Sequence, residues 1–301
     1  MKTTLHMALV TALSTGALSA AAPVTALPTA AEPPRYVALG DSYAAAPLVP
    51  PPDPADPMCL RSLAGYPRVA AQDLGARLTD VTCSAATTDH LSTSQYPGTA
   101  PQYDALTPAA DIVSVTIGGN DADVFSEALD CVNILPQPYG TSCAEENTAG
   151  GTDKVRARID AWAPVFGTVL DEIARRAPNA EVFVVGYGNY LRTDGCHPAQ
   201  PFWKQDANYI QGVVDHLGAV LERTAEEHGA TFVDTYTLGI GHDICAAPAD
   251  RYIEGLAPTR PAAPLHPNAS GARAVGNALA TAVRATSAPS RGTGPPLSKA
   301  P

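Results

Sequence analysis

Short runs of apolar residues alternate along the chain with longer segments in which apolar residues recur every three or four positions. The short runs predict five buried strands, at residues 36–40, 79–83, 112–117, 181–187 and 230–233. The longer segments predict amphipathic helices at residues 66–78, 154–176, 207–228 and 268–284. Because strands that alternate with helices form parallel sheets covered on both faces, we predict an α/β protein with α/β/α layers and a sheet of about five strands.

The two ends of the chain differ in composition from this alternating region. Residues 1–26 carry one lysine, an apolar run at residues 5–18 and then small residues, which is the pattern of a secretory signal peptide. Cleavage sites of the usual small-residue kind follow Ala22, Ala26 and Ala31. Residues 287–301 are rich in proline, glycine and serine and are predicted to be disordered. We therefore expect one domain, residues 32–286, in a secreted, extracellular protein.

Charge and cysteine content narrow the classes of function. The formal net charge is −11 at pH 7, so the chain is a poor candidate for binding nucleic acid or an anionic membrane. After the signal peptide no apolar run reaches the ~20 residues that a membrane span needs, so no membrane insertion is expected. In a secreted chain of this size, six cysteines predict three disulfide bonds.

Ser42 directly follows the first predicted strand, in the stretch Gly40-Asp41-Ser42-Tyr43. Ligands of open α/β sheets bind just outside the carboxyl ends of the strands, so this position suits a nucleophile. A purely structural interpretation is also open, because aspartate and serine commonly cap the first turn of a helix. Other residues must decide between the two.

Asn120 and His266 are the candidate partners of this serine. A serine hydroxyl is a weak nucleophile without a base, and His266 directly precedes the last predicted helix. Asn120 follows the third predicted strand and two glycines, where its amide can donate to an oxyanion. Each residue alone fits a solvated loop or a turn, but together they supply a nucleophile, an oxyanion donor and a base.

The blocks Gly40-Asp41-Ser42-Tyr43, Gly118-Gly119-Asn120-Asp121 and His266-Pro267-Asn268 resemble the separated motifs of the SGNH (GDSL-type) hydrolases. More closely, the chain is similar to the secreted actinomycete esterase/lipase branch, with residues 241–245 and 251–256 fitting the region before the histidine. The resemblance runs from about residue 36 to residue 284. It implies a flavodoxin-like fold and a serine carboxylic ester hydrolase, an esterase or lipase, that needs no cofactor.

The resemblance also implies roles for individual residues. Ser42 is the expected nucleophile and first oxyanion donor through its backbone N–H, Asn120 donates from its side chain, and His266 is the base. Ala85 stands where the family has a glycine whose N–H is the third donor. We expect Ala85 to keep that role only if the backbone angle there tolerates a Cβ atom.

A second departure concerns the group that orients the histidine. The family often has an aspartate three residues before it, and here that position is Ala263. Members of the secreted branch that use a main-chain carbonyl imply that the carbonyl of Ala263 accepts the Nδ1 proton of His266. Asp243 is the rival, as a more distant carboxylate.

The cysteines have two interpretations. The resemblance implies the disulfides Cys59–Cys83, Cys131–Cys143 and Cys196–Cys245. A zinc site is the alternative, because Cys196, His197, His242 and Cys245 offer two thiols and two imidazoles. Secretion and the unfamiliar ligand spacing favour the disulfides, so no metal is expected.

The substrate is open at this stage. We expect a small-molecule or lipid ester and a monomeric enzyme. A polysaccharide deacetylase of the same family is the alternative, and a catalytically silent binding protein on this fold is another. An apolar groove beside Ser42 would favour acyl chains, whereas a polar, open cleft would favour a polysaccharide.

Overall fold

A parallel sheet of five strands, in the order β2-β1-β3-β4-β5, forms the centre of the computed structural model, which describes residues 32–287. The strands β1 to β5 are Arg35–Gly40, Arg77–Asp80, Ile112–Thr116, Glu181–Val185 and Thr231–Val233. Every neighbouring pair is parallel. The predicted fold class and strand number are therefore confirmed. The predicted signal peptide, and all but the first residue of the predicted tail, lie outside the described residues.

Helices connect the strands and cover the sheet. Within the described residues, the helices α1 to α9 are Ser42–Ala45, Tyr66–Leu74, Asp89–Ser92, Val124–Asp130, Cys143–Thr148, Lys154–Arg176, Lys204–Glu227, Tyr236–Gly239 and Ala269–Ser287. The predicted helix at residues 154–176 has the predicted bounds, and it begins where the Asp153 carboxylate accepts the N–H groups of Val155 and Arg156.

Two apolar cores lie on opposite faces of the sheet. Along β1, Val37 and Leu39 pack into one core, and Tyr36 and Ala38 pack into the other. This is the alternation expected of a strand whose successive side chains point to opposite faces. Side chains of α6 and most of α7 complete the first core, and those of α2 and α9 the second. The helices therefore form the two outer layers that the sequence predicts.

Several predicted boundaries differ from the structure: α7 begins at Lys204, three residues before its predicted start, and the largest difference lies between α2 and β2. The helix predicted at residues 66–78 ends at Leu74, because Gly75 adopts the left-handed conformation (φ 63°) and closes the helix with its N–H. The chain is then free to enter the sheet at Arg77, aligned with Arg35 of β1, two residues before the predicted start of that strand. Residues 81–83 continue beside β1 without forming part of the strand.

The structure contains the disulfides Cys59–Cys83, Cys131–Cys143 and Cys196–Cys245. Because the sulfurs of Cys196 and Cys245 are bonded to each other, they do not form the zinc site considered as an alternative. In residues 32–287, no helix has the length and apolar character needed to cross a membrane.

Candidate active site

Ser42 lies in a sharp turn between β1 and α1, at the carboxyl edge of the sheet. Gly40 has a φ of 144°, and a Cβ atom there would lie 2.5 Å from the Thr116 carbonyl oxygen on β3. Only glycine allows so close an approach. The carboxylate of Asp41 accepts the N–H of Tyr43 at 2.9 Å and caps α1. Asp41 therefore provides the cap, and the hydroxyl of Ser42 is left for another partner.

That partner is His266, 224 residues away in the chain. Its Nε2 lies 2.7 Å from Ser42 Oγ, and its Nδ1 lies 2.7 Å from the Pro264 carbonyl oxygen. A carbonyl only accepts hydrogen bonds, so Nδ1 of the neutral ring must carry the proton. Nε2 is then unprotonated and accepts the hydroxyl proton of Ser42, which is the arrangement that activates a serine.

The sequence predicts that the Ala263 carbonyl orients His266, and this prediction is wrong. The carbonyl against Nδ1 belongs to the next residue, Pro264. The Ala263 carbonyl accepts the main-chain N–H of His266 at 3.2 Å, which closes a turn and brings the next carbonyl, that of Pro264, against the ring. The alternative candidate, Asp243, instead binds Arg192, since both of its carboxylate oxygens lie 3.1 Å from Arg192 Nε.

A buried glutamate, Glu254, holds the loop that carries His266. Its N–H donates to the His266 carbonyl at 3.0 Å, and its carboxylate accepts from Asn268 Nδ2 at 2.7 Å and from the Thr259 N–H at 2.9 Å. Burial raises the pKa of Glu254, but the hydrogen bonds that it accepts outweigh burial and hold the pKa below its usual value. Sequence reasoning missed Glu254, because a single acidic residue in a loop carries no recognisable signal.

Asn120 lies in the loop after β3, as the sequence predicts, and lines the same cavity as Ser42 and His266. Its Nδ2 donates to the Ala86 carbonyl at 2.8 Å, which leaves the second N–H of the amide for another acceptor. The loop is held in place at Gly118 (φ 114°), where a Cβ atom would lie 2.4 Å from the Trp162 ring. The amide is thus oriented before any ligand arrives.

Ala85 adopts the left-handed conformation, with a φ of 65°, at the position where a glycine is expected. Its methyl group is exposed, so the Cβ atom meets no neighbouring wall, and the left-handed backbone costs about 1–2 kcal/mol of local strain that a glycine would not have. Within residues 32–287, the backbone N–H groups of Ala85 and Ser42 have no hydrogen-bond partner. Ala85 is not one of the described residues that line the cavity, and it adjoins the site through Ala86.

Tyr187 connects the loops that carry Ser42 and Asn120. Its hydroxyl donates to Asp41 and accepts the N–H of Gly119 at 3.0 Å. Burial raises the pKa of Asp41 to about 7, although the hydrogen bonds from Tyr187 and from the Tyr43 N–H act in the opposite direction. The negative charge beside Ser42 is therefore reduced near neutral pH.

The cavity beside Ser42 is lined by some polar side chains and by a larger number of apolar ones. The polar residues include Ser42, Asn120 and His266, together with Asp41, Tyr187 and Tyr190. The apolar walls include Val124, Ala128, Phe202, Ile210, Leu217 and Ile244. A cavity of this composition suits a ligand with one polar, reactive group and a hydrocarbon portion.

The sequence of this chain is similar to a family of lipases and to individual lipases of Streptomyces. The family model described as the GDSL-like Lipase/Acylhydrolase family matches residues 38–274. The chain is 41% identical over 265 residues to Lipase 2 of Streptomyces coelicolor, which covers 86% of this chain and 88% of that protein. It is 33% identical over 213 residues to a lipase of Streptomyces rimosus, with 70% of this chain and 73% of that protein covered.

Two crystal structures resemble this fold over most of its length. One is the phospholipase A1 of Streptomyces albidoflavus, with a TM-score of 0.69, 25% identity, and 84% of this chain and 99% of that chain covered. The other is the extracellular lipase of Streptomyces rimosus, with a TM-score of 0.69, 28% identity, and 83% of this chain and 99% of that chain covered.

Proposed function

The chain belongs to the GDSL-like Lipase/Acylhydrolase family and is a carboxylic ester hydrolase, and we propose that it cleaves esters of lipid acyl chains through Ser42 and His266. The observation that carries this proposal is the 2.7 Å contact between Ser42 Oγ and His266 Nε2, two residues that line a largely apolar cavity.

In the proposed reaction, Ser42 Oγ attacks the ester carbonyl while His266 Nε2 takes its proton. The backbone N–H groups of Ser42 and Ala85 and the amide of Asn120 stabilise the tetrahedral oxyanion. His266 then protonates the leaving alcohol, which leaves an acyl group on Ser42, and activates a water molecule that hydrolyses this acyl-enzyme. The Pro264 carbonyl keeps the Nδ1 proton in place in both the neutral ring and the imidazolium, so that proton exchange takes place at Nε2.

The cavity supports an acyl chain over a polysaccharide as the group beside the reactive serine. A polysaccharide deacetylase needs to hold hydroxyl-rich sugars, whereas this wall is formed by side chains such as Phe202, Ile210 and Leu217. Burying hydrocarbon against such a wall contributes ~0.8 kcal/mol for each methylene group. We therefore propose a preference for esters with acyl chains long enough to enter the cavity.

Secretion and a monomeric state complete the proposal. Residues 1–26 have the composition of a signal peptide, and three disulfides are typical of oxidising, extracellular surroundings. The relative from Streptomyces rimosus is itself an extracellular lipase. One chain supplies Ser42, Asn120 and His266, so the reaction needs no second copy.

Covalent labelling and a series of esters test the proposed function. We expect a fluorophosphonate to attach to Ser42 with loss of activity, because the probe reacts with activated serines. With p-nitrophenyl esters, kcat/KM should rise from acetate towards longer acyl chains until the cavity is filled. Peptide mapping locates the label, and Ser126, an exposed serine on α4, is the internal control. Label on another serine, or highest kcat/KM for acetate, would contradict the proposal.

The pH dependence of hydrolysis should report the ionisation of His266. An imidazolium cannot accept the proton of Ser42, so activity is lost as the pH falls through the pKa of His266. Burial lowers this pKa, although the hydrogen bond to the Pro264 carbonyl raises it in part. For a neutral ester, we therefore expect an acid limb of kcat/KM with its midpoint below ~6.5.

The control for this profile is the Asp41→Asn variant, because Asp41 is the neighbouring group that titrates in the same range, with a pKa of about 7. An acid limb that belongs to His266 should persist in that variant. A midpoint above ~6.5 that the variant retains would contradict the assignment.

A further inference from the structure

The loop between Cys131 and Cys143 holds large apolar side chains in solvent. Ile134, Leu135 and Tyr139 are 80%, 58% and 70% exposed. The disulfide closes this loop, which we call the 131–143 loop, and Val132 pairs with Phe202 at its base. Exposed apolar side chains grouped on a soluble protein commonly mark a site of interaction.

The 131–143 loop has no charged side chain between its cysteines, and several of its polar groups are paired within the protein. Residues 132–142 include no side chain that is charged at neutral pH. The Leu135 carbonyl accepts the indole N–H of Trp203 at 2.8 Å, and the Thr141 carbonyl accepts Asn133 Nδ2 at 2.8 Å. Pro136 and Pro138 have no N–H to satisfy. The lack of charge and these pairings lower the cost of moving this part of the loop into a medium of low polarity.

The 131–143 loop is continuous with the cavity beside Ser42. Phe202, which pairs with Val132 at the base of the loop, also lines the cavity. Helix α4 runs directly into the loop, and its Phe125 lines the cavity while remaining 38% exposed. The Phe125 ring also lies 5.5 Å from the His266 ring. Apolar residues thus lead from the exposed loop, through buried Phe202 and partly exposed Phe125, to the cavity beside Ser42 and His266.

We propose that the 131–143 loop inserts into the surface of an uncharged or zwitterionic lipid aggregate and places the cavity against the acyl chains there. This inference rests on the proposed function, since it concerns how the same site reaches its substrate. The occupant is a lipid because the apolar surface leads into the cavity that receives the acyl chain. The aggregate is not anionic because the net charge of the chain is −11 and Asp130, Glu145 and Glu146 flank the loop.

The test compares two double variants in vesicle binding. Ile134→Ser/Leu135→Ser removes the apolar tip of the loop, and Met58→Ser/Ile240→Ser removes side chains that are 57% and 59% exposed elsewhere on the surface. All these side chains are exposed, so folding should be unaffected. With phosphatidylcholine vesicles, we expect the loop variant to bind ~30-fold more weakly and the control variant to bind within ~2-fold of the parent chain.

Two further measurements separate docking from catalysis. Vesicle binding is repeated in the Ser42→Ala background, where the same difference is expected without turnover. Hydrolysis of monomeric p-nitrophenyl butyrate should be equal in the parent chain and the loop variant, whereas hydrolysis of a phosphatidylcholine dispersion should fall ~30-fold. A parent chain that binds vesicles but does not hydrolyse the soluble ester would count against the proposed function and leave the binding result intact.

Three outcomes would overturn the docking proposal. The loop variant and the parent chain could bind phosphatidylcholine equally, or binding by the parent chain could vanish in high salt, which would indicate charge attraction. Light scattering could instead show that the loop variant abolishes a dimer of the parent chain, which would make a second copy the occupant.

Discussion

Replacing Ser42 with alanine is expected to lower kcat for ester hydrolysis by ~10⁴-fold or more, with no loss of folding. The reason is that, in the proposed reaction, Oγ forms the covalent bond to the acyl group, and no other described hydroxyl lies against His266 Nε2. The side chain is small and partly exposed, so we expect the free energy of unfolding to change by less than ~1 kcal/mol.

Activity and thermal unfolding must be measured on the same preparation of Ser42→Ala. Ser126→Ala is the matched control, because this exposed serine on α4 makes its hydrogen bond to a local carbonyl, that of Asp123. The control should retain the activity of the parent chain. A Ser42→Ala variant that unfolds normally and keeps a tenth of the parent activity would eliminate Ser42 as the nucleophile.

Replacing Asn120 with alanine is expected to lower kcat by ~10²–10³-fold while KM changes little. In the proposed reaction the amide donates to negative charge that develops only in the transition state, so its loss should weaken binding of the transition state more than binding of the ester. The variant also loses the hydrogen bond from Nδ2 to the Ala86 carbonyl, which should cost ~1 kcal/mol of the free energy of unfolding.

Asn179 provides a matched control for the loss of stability that follows from removing the hydrogen bond of Asn120. Asn179 Nδ2 donates to the Pro108 carbonyl at 2.8 Å, the same distance as the contact of Asn120, but it lies far from the cavity in an exposed turn. Asn179→Ala should lose a similar amount of stability and no kcat. If Asn120→Ala raises KM and leaves kcat unchanged, Asn120 binds the ester in its ground state and is not an oxyanion donor.

The apolar periodicity of the chain was sufficient for the fold class and for most of the elements. Helix α6, with its apolar stripe through Ile159 and Phe166, has the bounds that the pattern predicts. This succeeds because periodicity reports which face of a local element is buried, and burial is what stabilises helices and strands. The largest boundary error, at Leu74, arose because the left-handed turn at Gly75 was not recognised.

The polar residues after β1 and β3 and before α9 were also readable from sequence, since strand ends mark one edge of a parallel sheet. The carbonyl that orients His266 was not readable, because two neighbouring carbonyls in one turn differ only in direction. Nor was the bridge of Tyr187 between Asp41 and Gly119, which joins residues far apart in the chain. Such contacts depend on how the loops pack over the sheet, and hydrophobic periodicity carries no information about the direction of one carbonyl or hydroxyl.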